Sequence, residues 1–245
     1  MDFGLKGRRA LVTAASKGIG RACAEALVGE GARVYISSRD PAAIEAAGQA
    51  MGAAGWSAAD VSHPGEPEAL VGAAVEVLGG LDVLVVNAGG PPTGTLESTP
   101  LDAWEAGFDL TVMSAVRLVK ASLPHLRRSD QGRVVLITSI SVRQPIPNLI
   151  LSNSLRAAVT GMAKTLSGEL AGDRITVNCL APDAIRTDAL RRLGDLEEMA
   201  ERAPMGRLGE ASEVGALCAF LCSRQAGYIT GQTVGIDGGS LRGVH

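Results

Sequence analysis

The chain has 245 residues, 46% of them hydrophobic and 20% charged, with a formal net charge of -3. That apolar share is enough for a large core and too high for disorder, and no Pro/Gly/Ser-rich linker or charge run divides it, so one domain over 1–245 is expected. The slight acidity offers no field to hold a polyanion and no run reaches the ~20 apolar residues of a membrane span, so neither nucleic acid nor a bilayer is an expected partner.

The first nine residues, Met1 to Arg9, lead into no signal-peptide core, which points to a cytoplasmic location. A strand is expected over 8–13, running into Ala14-Ala15-Ser16-Lys17-Gly18-Ile19-Gly20 and a helix over 18–29. Glycine-rich backbone at a helix amino terminus presents free N–H groups and a positive dipole end to a pyrophosphate, although tight strand-to-helix turns use glycine in any case. A second strand over 33–37 ends in Ser37-Ser38-Arg39, and a helix over 41–51 opens with Pro41 behind Asp40. A third strand over 57–59 runs into Asp60-Val61, followed by a helix over 64–78 with Pro64 in its first turn after His63. A fourth over 83–87 closes on Asn87-Ala88-Gly89. In a parallel sheet all these carboxyl ends share one edge, where a dinucleotide crevice forms.

A long helix is expected over 103–128, a strand over 133–138 that delivers Ser139, a helix over 152–171, and a strand over 175–180 ahead of Pro182-Asp183. The irregular stretch 183–205 follows a strand's carboxyl end and is taken as a substrate lid, before a helix over 211–223 and a last strand over 233–236. This alternation predicts an α/β fold: a single-domain, Rossmann-type, doubly wound parallel sheet of seven strands with helices on both faces. Cys23, Cys179, Cys218 and Cys222 lack paired metal-ligand spacing and are expected to be reduced core thiols, so no metal is expected. His63, His125 and His245 receive no catalytic role.

The residues 13–20 match the pattern T-G-x-x-x-G-x-G with Ala14 in place of its first glycine. Further along stand Leu81-Asp82-Val83-Leu84-Val85-Val86-Asn87-Ala88-Gly89, the run 132–139, Gly206-Arg207-Leu208-Gly209-Glu210, Tyr228-Ile229-Thr230-Gly231-Gln232 and Asp237-Gly238-Gly239. In these ordered motifs the chain resembles, nearly end to end, the short-chain dehydrogenase/reductase family, and within it the 3-oxoacyl-carrier-protein reductases. The resemblance implies an NAD(P)-binding domain, a small-molecule carbonyl or alcohol substrate, and a homotetramer built through the two long helices and the last strand. It assigns Thr13, Ser16, Lys17, Gly18, Ile19 and Gly20 to the pyrophosphate turn, Asp60 and Val61 to adenine, and Asn87, Ala88 and Gly89 to the ribose side. Pro182 falls near the nicotinamide, and Ile185 and Thr187 meet the nicotinamide carboxamide and the pyrophosphate side. At Ser38, where an NAD-preferring relative carries an acid, none stands; Lys17 and Arg39 flank the place of a 2′-phosphate, which implies NADP rather than NAD.

The family's chemistry uses an Asn, a Ser and a Tyr-x-x-x-Lys pair. By resemblance Ser139 is the serine, Thr111 takes the Asn position, and Ser152 and Arg156 take the Tyr and Lys positions, one turn apart on a helix. A frame shifted by one residue offers Leu151 and Leu155, so neither frame restores the pair. Tyr35 and Tyr228 are the only tyrosines and neither lies near these positions in sequence. An aliphatic hydroxyl is a poor acid or base, and a guanidinium holds its proton, so Arg156 is expected to clamp the ribose as a fixed charge. A further departure is Asp183, where the family has Gly after Pro; it is either a replacement acid/base or a helix cap. Three readings follow: an NADP(H)-dependent oxidoreductase with an atypical site, a non-catalytic NADP-binding subunit or redox sensor, and dehalogenase/lyase-like chemistry on the same fold.

Overall fold

The computed structural model describes residues 2–192 and 194–243, so His245 lies outside the described residues. Strand β1 (Arg9–Val12) leads through helix α1 (Gly18–Gly29) to β2 (Arg33–Ser38), α2 (Pro41–Met51), β3 (Gly55–Ala58), α3 (Glu66–Leu78) and β4 (Val83–Val86). The second half continues with α4 (Leu101–Phe108), α5 (Ser114–Leu126), β5 (Arg133–Ile137), α6 (Ile150–Glu169) and β6 (Thr176–Pro182). A small excursion holds β7 (Ile185–Arg186), α7 (Asp188–Arg191), α8 (Leu196–Arg202) and β8 (Gly209–Glu210), after which α9 (Ala211–Cys222) and β9 (Thr233–Ile236) close the fold. Seven strands pair in parallel in the order β3-β2-β1-β4-β5-β6-β9, while β7 and β8 pair separately. The winding reverses between β1 and β4, and the crevice that this leaves at their carboxyl ends is where the candidate site lies.

Strand alternation feeds two cores. Leu11, Leu84, Val86, Val134, Leu136 and Val177 point to one face, against α3, α5 and α6. Ala10, Val12, Val83, Val85, Val135 and Ile137 point to the other, against α1, α2 and α9. Covered on both faces, β4 has no polar position at all, as a central parallel strand requires. On the second face α1 and α9 approach so closely that a Cβ on Gly215 would stand 2.4 Å from the Ala22 carbonyl oxygen. Cys23, Cys218 and Cys222 meet there as buried free thiols; hydrogen bonding to Cys222 and Cys23, with burial, pushes the Cys218 thiol well above its ordinary range.

The structure moves four expected boundaries. The third strand is Gly55–Ala58 rather than 57–59, because Tyr35 to Ser38 of β2 pair with these earlier residues. The helix expected from 64 begins at Glu66: Gly65, at φ 88, is its cap and Pro67, not Pro64, occupies the first turn. The helix expected over 103–128 is interrupted by a π-helical segment, Asp109–Met113, that separates α4 from α5. The stretch 183–205 is less irregular than expected, since it contains β7, α7 and α8, although it does follow the carboxyl end of β6.

At the opposite edge, the amino ends of β1, β4 and β5 are tied by Asp82, which is 3% exposed. Its Oδ2 accepts from the Arg9 backbone N–H at 2.9 Å and from Nε at 2.8 Å, and its Oδ1 from Arg9 Nη2 at 2.8 Å and Ser129 Oγ at 2.6 Å. Burial alone would raise the carboxyl pKa, but these donors and the Arg9 charge outweigh it and hold the group below its ordinary value. A depressed folded pKa means that the stabilisation is fully present above the unfolded value near ~3.9 and is lost as pH falls through the lower folded value. We expect Asp82→Ala to cost about 2–3 kcal/mol in urea unfolding at pH 7, below the ~3–5 of a fully buried pair because Arg9 stays partly exposed. The gap between wild type and variant should narrow below about pH 4; a gap constant down to pH 2 would refute the assignment.

Candidate cofactor and catalytic site

At the switch point, Thr13 joins β1 to β4. Its Oγ1 donates to the Asn87 carbonyl at 2.7 Å and accepts from the Asn87 N–H at 2.9 Å, while Asn87 Nδ2 donates to the Ala14 carbonyl at 3.2 Å. The chain then turns sharply through Ala14, at φ 49, and Gly18, at φ 59. α1 opens at Gly18 with Lys17 as a cap residue that makes no side-chain hydrogen bond, so its first N–H groups face the crevice without a side-chain acceptor. A Cβ on Gly20 would stand 2.4 Å from Ala14 O and 2.6 Å from Asn87 Nδ2, so only glycine lets the helix sit this close under the turn. The turn therefore fits a pyrophosphate, with Ser16 and Ile19 partly exposed beside it. Thr187, which caps α7 by accepting from Leu190 N at 3.3 Å, lies with its Cγ2 3.5 Å from where a Cβ on Gly18 would be. The structure thus brings Thr187 to the turn across 169 positions of sequence (187 minus 18), and buried Ile185 sits two residues before it.

Ala14 occupies a left-handed conformation that costs a non-glycine residue about 1–2 kcal/mol. Ala14→Gly should relieve that strain, offset in part by the ~0.5–1 kcal/mol entropy of a glycine, for a net gain of up to about 1 kcal/mol. Thermal unfolding checks this: a clear fall in Tm would show that the methyl group makes contacts worth more than the strain.

On the adenosine side, Ser38 is almost buried and Lys17 and Arg39 are exposed. An acid does stand nearby, Asp40, but its Oδ1 accepts from Ala42 N and Ala43 N at 3.0 Å each, capping α2. Its Oδ1 thereby meets the positive amino end of that helix. Asp60 Oδ1 accepts from Ser62 N at 3.1 Å and Ser62 Oγ at 2.7 Å, which leaves Oδ2 as its available oxygen. Burial would raise the Asp60 pKa, but the Ser62 bonds, Arg39 and His63 together keep it below the ordinary value, so it stands as an anion beside buried Val61. Beyond Ala88, a Cβ added at Gly89 would meet nothing within 4 Å, leaving open room where the resemblance places ribose.

The catalytic candidates gather at the carboxyl ends of β4, β5 and β6. Ser139 follows β5, and its Oγ accepts from Ser141 N at 3.1 Å, capping the turn Ile140–Val142 and leaving its own proton to donate. Ser152 and Arg156 lie one turn apart on α6. Arg156 Nη1 donates to Ile137 O at 3.0 Å and Thr138 O at 3.3 Å, which pins the guanidinium to the end of β5, directly before Ser139. Desolvation draws its pKa below the ordinary value. Thr111 lies inside the π-helical segment and is 7% exposed; its Oγ1 has no hydrogen-bond partner. Thr111, Ala88, Thr138 and Arg156 line one cavity of about 10 Å³.

Asp183 is not a helix cap. Its N–H donates to Ile236 O at 3.1 Å, tying it to β9, and Thr187 caps the helix that follows. The half-buried side chain has no hydrogen-bond partner among the described residues, and Pro182 before it is buried at the end of β6. Sequence reasoning missed two contributors: the π-helical segment, which a 3.6-residue period does not reveal, and the carbonyls of Ile137 and Thr138, which carry no side-chain signal. No group of three or more His, Cys, Asp or Glu among the described residues is arranged to hold a metal, and no helix is long and apolar enough to cross a membrane.

A family profile described as "Enoyl-(Acyl carrier protein) reductase" matches residues 13–240. The chain is 37% identical over 246 residues to dehydrogenase/reductase SDR family member 4 of Bos taurus, covering 97% of this chain and 88% of the bovine one. It is similar in structure, with a TM-score of 0.94 and 32% identity over 100% of both chains, to L-sorbose reductase of Gluconobacter frateurii complexed with NADPH and L-sorbose. It is also similar to an NADPH-bound short chain oxidoreductase of Pseudomonas aeruginosa PAO1 described as containing an atypical catalytic center, with a TM-score of 0.90 and 29% identity over 96% of each chain.

Proposed function

From the premise that this chain belongs to the short-chain dehydrogenase/reductase family, we propose that it is an NADP(H)-dependent oxidoreductase for a carbonyl or alcohol substrate, working with an atypical proton-transfer site. The observation that carries the reading is the amino terminus of α1, without a side-chain cap, on the Gly20 cradle, with the cations Lys17 and Arg39 exposed at the ends of the turn and of β2. The cofactor, when bound, supplies hydride transfer. The backbone N–H groups of the turn and Thr187 hold the pyrophosphate, Lys17 and Arg39 the 2′-phosphate, and Asp60 Oδ2 the adenine amino group. Ser139 holds the substrate oxygen by donating a hydrogen bond to it. Arg156 holds a fixed positive charge beside it, and Ser152 lacks the acidity to act alone. Asp183, unpartnered at the end of β6, is the carboxyl group available to exchange a proton there. The lid is the segment 183–205, and Leu193 within it lies outside the described residues.

Calorimetry with NADPH and NADH, followed by single-turnover oxidation of NADPH with a panel of carbonyl compounds, tests the reading. Tight NADPH binding with turnover supports it, and no binding of either dinucleotide would end it. A second reading, an NADP-holding subunit without turnover, is favoured by one observation, the lack of any phenol at the Ser152 position. Tight binding with no oxidation of any carbonyl would select it.

The reading extends to a homotetramer. The apolar residues of α5 and α6, among them Leu118, Val119, Leu126, Leu155 and Val159, are consumed by the protomer's own core. What remains outside is Leu96, 72% exposed, with Leu101 and Phe108 on α4, and on α6 a row of small exposed residues, Ala157, Ala158, Gly161 and Gly168. Symmetric pairing across these faces would bury both sets. Light scattering in dilute neutral buffer should return four times the monomer mass, and the monomer mass at all concentrations would refute assembly.

A further inference from the structure

We propose that the cavity between Thr111 and Arg156 is a binding site for one small monovalent anion of the chloride class. Two arginines of this fold show why Arg156 is incomplete. Arg133, 4% exposed, spends all three side-chain nitrogens: Nε and Nη2 on Ser223 O at 3.3 and 3.2 Å, and Nη1 on Gly132 O at 2.8 Å. Its charge thereby meets the negative carboxyl end of α9. Arg156 uses Nη1 alone, on Ile137 O and Thr138 O, and has no carboxylate within salt-bridge distance among the described residues. Arg156 is half-buried, desolvation lowers its pKa, and a guanidinium with unspent N–H groups is a ready donor to an anion.

Beside it, Thr111 Oγ1 is buried with no partner, although buried hydroxyls nearly always have one. Both groups line a cavity of about 10 Å³, close to the least that admits one solvent-sized particle. Its remaining walls are largely apolar and buried: Val86, Ala115, Leu136 and Val159. A water there would satisfy the hydroxyl and an N–H but leave the positive charge uncompensated. An anion accepts from both donors and neutralises the charge as well. The inference shares Thr111 and Arg156 with the site of the oxidoreductase reading, but its test needs neither cofactor nor turnover.

The test uses the wild-type protein without cofactor. Crystals grown in sodium bromide and measured at the bromine edge should show an anomalous peak between Thr111 Oγ1 and Arg156. In solution, sodium chloride or bromide should raise Tm by roughly 2–4 °C over the same ionic strength of sodium gluconate, whose anion is too large for the cavity. That difference should vanish in Thr111→Val and Arg156→Met. A water without anomalous signal overturns the proposal, as does a halide effect that persists unchanged in both variants. If a variant fails to fold, the crystal of the wild type decides by itself.

Discussion

Replacing Ser152 by Tyr and Arg156 by Lys together is expected to raise the single-turnover rate of carbonyl reduction by ~10²–10⁴-fold, the usual contribution of a positioned general acid. The two positions lie one turn apart on α6, so the new phenol and ammonium would be neighbours, and the ammonium would draw the phenol below its ordinary pKa near ~10. Either change alone should recover less. Ser152→Tyr leaves a permanent charge that cannot pass a proton on, and Arg156→Lys leaves no acid to assist. Ser139→Ala in the doubly changed protein should remove the gain if Ser139 holds the substrate oxygen. The measurement is NADPH oxidation at saturating carbonyl, after equal NADPH affinity has been established for every variant. A wild type that already reduces simple ketones quickly, and still does so as Asp183→Asn, would show that the proton comes from another group.

Arg39→Asp should lower the ratio of NADPH to NADH affinity by roughly 10²–10³-fold. The change removes a planar donor that bonds a phosphate bidentately, worth ~1.5–3 kcal/mol, and puts a negative charge where the 2′-phosphate would sit. The same carboxylate accepts from ribose hydroxyls, so NADH should gain while NADPH loses. In the wild type the nearby Asp40 sits at the amino end of α2, where its Oδ1 accepts from two backbone N–H groups. Calorimetric titration of both dinucleotides into both proteins checks the ratio. Equal affinity of the wild type for NADPH and NADH would remove the basis of the prediction.

The layered sheet was legible from the sequence because its cause is periodic. Runs such as Val83–Val86 have no polar position, and the stretches between them carry apolar residues at helical spacing. The glycine turn was legible for a steric reason, since Gly20 permits an approach that any Cβ would block. The sequence did not disclose what depends on a single long-range choice of partner. Asp183 reads in the sequence as a cap or a reacting group, whereas Thr187 caps α7 and the Asp183 N–H bonds the Ile236 carbonyl. Composition does not tell which of two faces a helix residue meets. Leu118 and Leu126 went inward, and Leu101 and Phe108, on α4, were left outside.

The π-helical segment Asp109–Met113 also works as a phase shifter. An α-helix turns about 100° per residue, and one π turn takes up an extra residue without ending the helix. Every side chain beyond it is therefore rotated by about one residue step relative to an uninterrupted helix. Deleting a single residue from 109–113 would let α4 and α5 fuse, and either Thr111 would swing out of the cavity or Leu118 and Val119 would swing out of the core. No point substitution at the cavity imposes that choice. The length of this short stretch, independently of its chemistry, is accordingly a constraint on the site: a one-residue gap here in any natural or engineered variant would mark either the loss of the Thr111 pocket or a repacked α5.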